Sequence, residues 1–258
     1  MTEQANTDPG SLADQARRRF LRNAAALAPA AIAPGVLFYQ AQAQARSADE
    51  AVTDAVRWGM LIDTNVMNES DVDACVSACQ REHGWGREAD ADTGAQWVRK
   101  VTLKHKKTGH EKVLPMMCQH CAHPPCVDVC PTGASFKRAD GIVLVNKHTC
   151  IGCRYCMMAC PYKARSFIHE NLSDQLPNAP RGKGTVESCT MCVHRVDRDG
   201  ANAVPACAEA VNRDGREAIV FGDLNDPQSP ISQKLRTLGA RQLRADLGLD
   251  PGLGYQGL

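Results

Sequence analysis

An α+β fold of short β-hairpins and short helices, arranged as two lobes with one nested inside the other, is predicted by three observations in this 258-residue sequence. Thirteen residues are cysteine while only 5% are aromatic, so ring-bearing side chains are too few to fill a large core, and whatever the cysteines hold must act as a packing centre. Twenty glycines and fourteen prolines supply the tight turns that short loops need. The cysteines, finally, recur in four runs of related spacing, an inner pair and an outer pair.

In the inner pair, Cys150, Cys153, Cys156 and Cys160 followed by Pro161 form C-x2-C-x2-C-x3-C-P, the run of bacterial [4Fe–4S] ferredoxins. Cys118, Cys121, Cys126 and Cys130 followed by Pro131 repeat it, with the middle gap widened to Ala122-His123-Pro124-Pro125. In two-cluster ferredoxins the fourth cysteine of each run ligates the other cluster. The expected sets are therefore Cys118, Cys121, Cys126 and Cys160 for one cluster, and Cys150, Cys153, Cys156 and Cys130 for a second. Between the runs, Ala134 to Arg138 and Ile142 to Asn146, joined by Ala139-Asp140-Gly141, read as strand, turn and strand, with Asp-Gly making the turn. A helical turn at Arg154 to Ala159 ends the second run. These features predict an intact ferredoxin-like lobe over about residues 115–170.

The outer pair is degenerate. Cys75 and Cys79 keep the C-x3-C ending of a run, but Glu69 and Val72 occupy its first two places. Cys189, Cys192 and Cys207 form a run with a long gap, and its fourth place is Val211. Exchange between these runs gives a third set, Cys189, Cys192, Cys207 and Cys79, for three [4Fe–4S] clusters in all. The complementary set would be Glu69, Val72, Cys75 and Val211, which cannot hold a cube and leaves Cys75 as a leftover thiol. Zinc also takes C-x2-C pairs, and at the third set zinc or a three-iron cluster remains open. The odd number of cysteines and the tight spacings argue against a disulfide framework, although Cys75 could still pair or react.

Further strands are predicted at Gly59 to Asp63, Trp97 to Lys104, Ala164 to His169 and Ala218 to Leu224. The degenerate lobe takes about residues 56–114 and 171–224, so the two interleaved bacterial ferredoxin-like lobes make one iron–sulfur domain over 46–224. A tail, 225–258, contains a predicted helix from Ser229 to Leu238 started by Ser229-Pro230 and loses helical character beyond Asp250-Pro251-Gly252. It either wraps the second lobe or docks a partner.

A formal net charge of +1 gives no support for nucleic-acid binding. No nucleophile motif, phosphate loop or dinucleotide fingerprint is present, which favours a carrier without a substrate site of its own. No C-x-x-C-H occurs, so a covalent c-type haem is not expected in this chain. Arg99, Lys100, Lys104, Lys106, Lys107 and Lys112, with His105 and His110, surround a Thr108-Gly109 turn; this basic hairpin is a solvated face, or else a docking surface or a field acting on the clusters. His120 and His123 lie within the first cysteine loop and are placed as neighbours of sulfur rather than as ligands.

Ala16-Arg17-Arg18-Arg19-Phe20-Leu21-Arg22 matches the twin-arginine export pattern. The alanine-rich stretch from Ala24 to Phe38, broken by Pro29, Pro34 and Gly35, is short for a membrane span, and Ala41-Gln42-Ala43-Gln44-Ala45 offers cleavage after Ala43 or Ala45. Residues 1–45 are thus expected to be a Tat signal peptide, removed or kept as an anchor. Export of a folded chain suits clusters assembled in the cytoplasm, and the expected location is periplasmic, at the outer face of the cytoplasmic membrane.

Two intact runs nested between two complementary ones resemble the electron-transfer subunits of the DMSO reductase, polysulfide reductase and NrfC class, over about residues 55–224. Within that class, the leader, the opening Arg57-Trp58-Gly59-Met60-Leu61-Ile62-Asp63, the loss of one cluster and the ending Asp250-Pro251-Gly252-Leu253-Gly254-Tyr255-Gln256-Gly257-Leu258 look like the iron–sulfur subunit of the membrane complex associated with dissimilatory sulfite reductase. That resemblance implies two partners, a quinone-binding integral membrane subunit of the NrfD type and a periplasmic c-type cytochrome, with membrane association through them. A subunit of a periplasmic molybdopterin oxidoreductase, and a non-catalytic redox sensor using Cys75, remain open.

Overall fold

The computed structural model describes residues 51–86, 93–173, 175–213 and 215–258; the expected Tat signal peptide, residues 1–45, lies outside them. The element that organises the rest is β1, Trp58–Asp63, whose residues are nearly all buried. Its unbroken apolar run is that of a strand covered on both faces, and strands also flank it on both edges. Strand β8, Ile219–Asp223, pairs with it antiparallel, and β9, Leu253–Gln256, pairs with it parallel, giving the sheet order β8-β1-β9. Met60, Leu61, Ile62, Ile219, Leu253 and Tyr255 make a fully buried centre there, and Trp58 stacks on Phe221 at 5.2 Å between ring centroids.

Three two-stranded ribbons complete the strands. β2, Val98–Lys104, and β3, Glu111–Met117, form the basic hairpin, whose base carries buried Val98, Leu114 and Met117. Several of its charges are engaged locally. Lys100 bridges Glu69 and Asp73, Lys104 pairs with Glu111, and Arg99 donates to the Tyr162 carbonyl. β4, Ser135–Lys137, pairs with β5, Val143–Val145, across the expected Asp-Gly turn, where Gly141 has φ of 87°. β6, Ser166–Phe167, pairs with β7, Val186–Glu187; the strand expected over Ala164 to His169 is thus only two residues long.

Among the described residues the longest helix is α1, Glu69–His83, which has no counterpart among the sequence expectations. It begins in a capping box, with the Asn68 side chain accepting from the Asp71 N–H and the Asp71 carboxylate accepting from the Asn68 N–H, and ends at Gly84 in the left-handed region. Such reciprocal caps satisfy two otherwise orphaned donors. The short helices α2, Pro125–Asp128, and α3, Tyr155–Ala159, each follow a cysteine loop. So does α4, Val193–Asp199, while α5, Ala206–Val211, packs along α1. The tail helix, α6, Pro230–Leu238, starts where expected, with Ser229 capping the Ser232 N–H.

Beyond α6 the tail is not loose. It returns through β9 to the centre of the sheet and lies against the first cysteine loop. There Ala122 N–H donates to the Asp250 carbonyl, His123 N–H to Leu249, and Gly252 N–H to Gln119. Arg57 fixes Asp250 by a 2.8 Å ion pair. Gly252 lies in a close approach, where a Cβ would stand 3.2 to 3.3 Å from the His120 and Trp58 carbonyl oxygens. Tyr255 donates to the Pro115 carbonyl and accepts from Gln119, so one tail residue ties β1 to the hairpin.

Replacing Tyr255 by alanine removes a fully buried ring and should cost about 3 to 5 kcal/mol. Hydrogen exchange will read this as faster exchange across residues 251–256 and β1, with the β4–β5 ribbon changed least.

Candidate metal centres

One backbone turn recurs in three of the four cysteine runs. The residue just before the second cysteine of each of these runs has positive φ: His120 at 44°, Gly152 at 71° and Met191 at 55°. This region is open to glycine, tolerated by histidine and unusual for methionine, so its recurrence at one register marks an imposed geometry. Such turns orient successive N–H groups toward a concavity suited to negative charge. In the third of these turns Met191 N–H donates to Cys189 Sγ at 3.4 Å; outside the turns Ala206 N–H donates to Cys192 Sγ at 3.4 Å and Ser135 N–H to Cys130 Sγ at 3.3 Å. Gly152 has a second reason to be glycine, since a Cβ there would lie 2.2 Å from the Gly184 carbonyl oxygen.

Three groups of four thiols result. Cys118 follows β3, Cys121 ends its loop, Cys126 sits in α2 and Cys160 follows α3; all four are buried. Burial, with the nearby charges of Cys126 and Cys160, pushes Cys118 and Cys121 up to about 12. The fourth cysteine of one run thus stands with the first three of the other. Cys130, Cys150, Cys153 and Cys156 line a single small cavity, and here Cys153 is exposed. In the third group, Cys79 of α1 faces Cys189, Cys192 and Cys207, which reinforce burial in raising its pKa. The groups lie in sequence: Cys156 of the second senses Cys126 of the first, and Cys189 of the third senses Cys118 of the first.

Buried thiols held neutral by desolvation need a cationic partner to ionise, which iron would supply. The surroundings fit an anionic group with sulfur acceptors. Arg165 is 5% exposed and donates from Nη2 to Cys126 Sγ at 3.1 Å, while its Nε and Nη1 have no acceptor. His120 accepts the Val143 N–H at Nδ1, which places its own proton on Nε2, and Nε2 is also buried without a partner. Leaving such donors unpaired is costly, and cluster sulfurs would complete them. Among the described residues no three His, Cys, Asp or Glu side chains could hold a single metal ion.

At the third group, Trp85 Nε1 donates to Cys79 Sγ at 3.2 Å, and His83 lies 3.6 Å from the same sulfur. Burial lowers His83 to about 4, so a neutral ring stands there. Neither Trp85 nor Arg165 is marked by the cysteine spacings. Arg165 had one signal, a charge inside the apolar strand pattern Ala164-Arg165-Ser166-Phe167-Ile168. His123 is exposed, unlike its neighbour His120.

The place of a fourth group is filled by helix. Val72 and Cys75 stand with Cys79 on the buried face of α1, Val211 is buried on α5, and Glu69 points outward to Lys100. No left-handed residue interrupts α1, whereas each of the three thiol-bearing loops has one. Asp71 instead serves the helix cap and pairs with Arg216 at 3.1 Å. Cys75 is fully buried, its thiol pushed far up by burial and then by Cys207 and Asp71.

Cysteine-lined sites of this kind on a ferredoxin-like α+β frame define an electron-transfer protein, and comparison with known proteins gives its family. Residues 109–219 match the model of the 4Fe-4S dicluster domain. Hdr-like menaquinol oxidoreductase iron-sulfur subunit 1 of Archaeoglobus fulgidus is 42% identical over 93% of this chain and 97% of its own length. Protein NrfC of Escherichia coli is 37% identical over 78% of this chain and 80% of its own. The arsenate respiratory reductase iron-sulfur protein ArrB of a Shewanella species is 33% identical over 78% of this chain and 96% of its own. The chain belongs to this family, the NrfC and DMSO reductase type of [4Fe–4S] electron-transfer subunits of oxidoreductases.

Two outcomes follow from the loops. Gly152→Ala, which forces a Cβ against the Gly184 carbonyl, should lower the iron content of the purified protein by about a third while leaving the third group intact. Cys75 should resist alkylation by iodoacetamide in the folded holoprotein and react only after unfolding, as mass spectrometry of the labelled peptides will show.

Proposed function

We propose that this chain carries three [4Fe–4S] clusters and relays single electrons between a quinone-binding integral membrane subunit of the NrfD type and a periplasmic c-type cytochrome. The reading rests on one observation, twelve cysteines gathered into three consecutive groups of four. The ligand sets are Cys118, Cys121, Cys126 and Cys160; Cys150, Cys153, Cys156 and Cys130; and Cys189, Cys192, Cys207 and Cys79. In this arrangement the second cluster, with its exposed Cys153 beside exposed Ile151, Tyr155 and Met158, is one terminus of the route. The third, walled by α1 and α5 where a fourth would have stood, is the other.

Within the family the chain is read as DsrO, the periplasmic iron–sulfur subunit of the membrane complex associated with dissimilatory sulfite reductase, exported by its twin-arginine leader. The relation to a menaquinol oxidoreductase subunit supports a quinone-linked role. That match leaves fewer residues uncovered than either the leader or the tail contains, so it runs into both. Among the described residues no helix is long and apolar enough to cross a membrane, in keeping with attachment through a partner. A subunit of a periplasmic molybdopterin oxidoreductase is the second reading, favoured by the relation to the arsenate respiratory reductase iron-sulfur protein. Burial of Cys75 speaks against a sensor built on that thiol.

Anaerobic preparation of the mature protein should yield about twelve irons and as many sulfides per chain, with three reducible EPR components. Cys160→Ser should abolish the component that Cys118→Ser also abolishes, and an unchanged spectrum would refute the crossed ligation. Isolation from native membranes should bring with it a multispanning quinone-binding protein and a c-type cytochrome; a large molybdopterin subunit in their place would establish the second reading.

A further inference from the structure

Among the described residues the other fully buried arginine, Arg181, and the half-buried Arg138 have carboxylates. Arg181 pairs with fully buried Glu187 at 3.0 Å, and Arg138 with Asp140 and Asp197 at 2.7 and 2.8 Å. Among the described residues no carboxylate pairs with Arg165. It donates to Cys126 Sγ at 3.1 Å and also acts on the Cys156 thiol, while its Nε and Nη1 stay buried without an acceptor in hydrogen-bond geometry. A guanidinium does not give up its proton in proteins, and an uncompensated buried charge is strongly destabilising. Its counter-charge must therefore come from the thiol groups themselves. The cysteines acting most strongly on it are Cys126, Cys118, Cys156 and Cys160, three from the first group and one from the second. Arg165 reaches this position because it follows Cys160 by five residues and immediately precedes β6, where the chain passes between the two groups.

We propose that Arg165 is a tuning residue shared by the first and second clusters, a single buried cation that raises the reduction potential of both and leaves the third to its own surroundings. The inference rests on the ligand sets proposed above. Each reduction adds one electron, hence one negative charge, to a cluster and its thiolates. A fixed positive charge in a poorly screened interior favours that more negative state. Its two unpaired nitrogens offer donors that cluster sulfur would accept, and hydrogen bonds to sulfur act in the same direction. Because both clusters use the same cation, they would keep potentials close to each other as electrons pass between them.

The test is an EPR-monitored redox titration of the anaerobically prepared holoprotein and of Arg165→Gln and Arg165→Lys, with iron counted in each. The component lost in Cys79→Ser serves as the internal reference. Arg165→Gln should lower the ratio of reduced to oxidised form at least tenfold for the first and second clusters at fixed potential, about 59 mV for a one-electron couple, with the reference unmoved. Arg165→Lys keeps the charge and should stay within threefold of the parent. A glutamine variant with full iron and unshifted potentials overturns the proposal, as does a uniform shift of all three components. If the glutamine variant loses iron, the lysine variant decides: potentials near the parent support the charge, and a tenfold fall at both clusters refutes it. Fewer than about twelve irons in the parent protein would instead be a failure of the ligand assignment.

Discussion

The molecule is governed by one constraint: thiols that must meet come from segments far apart in the chain. Cys79 stands with Cys189, Cys192 and Cys207, and Cys160 with Cys118, Cys121 and Cys126. Long-range meetings of this kind allow a domain poor in aromatic side chains to settle with short strands and helices of four to seven residues around each group. Among the described residues only α1 and α6 are longer. Elsewhere the loops are primary and the secondary structure is what joins them.

The same constraint explains why α1 is a helix and no fourth thiol group forms among the described residues. A cysteine loop needs a left-handed residue and a chain that turns around a centre; an α-helix needs neither. Once Glu69 and Val72 stand in place of thiols, the segment is free to become helical, and Asn68 with Asp71 provides a cap. The position that in the other loops holds His120, Gly152 or Met191 is here Asp71, inside the first turn of α1. Val72, Cys75 and Val211 then pack as ordinary apolar residues. Local sequence preference and the loss of the centre agree, which is the consistency expected of a foldable sequence.

The parts legible in the sequence were those with their own short-range grammar. Spacing announced the cysteine runs, Asp140-Gly141 announced the β4–β5 turn, and Ser229-Pro230 announced α6. The α+β ferredoxin-like class followed from these. What was not legible depended on partners distant in sequence. α1 was read as the remnant of a run, because Cys75 and Cys79 drew attention from the Asn68–Asp71 cap. β9 looked like an irregular ending, since a four-residue segment with glycine at Gly254 has little strand character until β1 is beside it. Arg165 is a single charge whose meaning lies in two thiol groups reached only by folding.

The parallel pairing of β9 with β1 sets Met60 beside Leu253 and Asp63 beside Gln256. Without β9, β1 would be paired on one edge alone, with β8. Any change that displaced Leu253–Gln256 would open the other edge to foreign strands, so the returning tail also shields the domain against edge-to-edge aggregation.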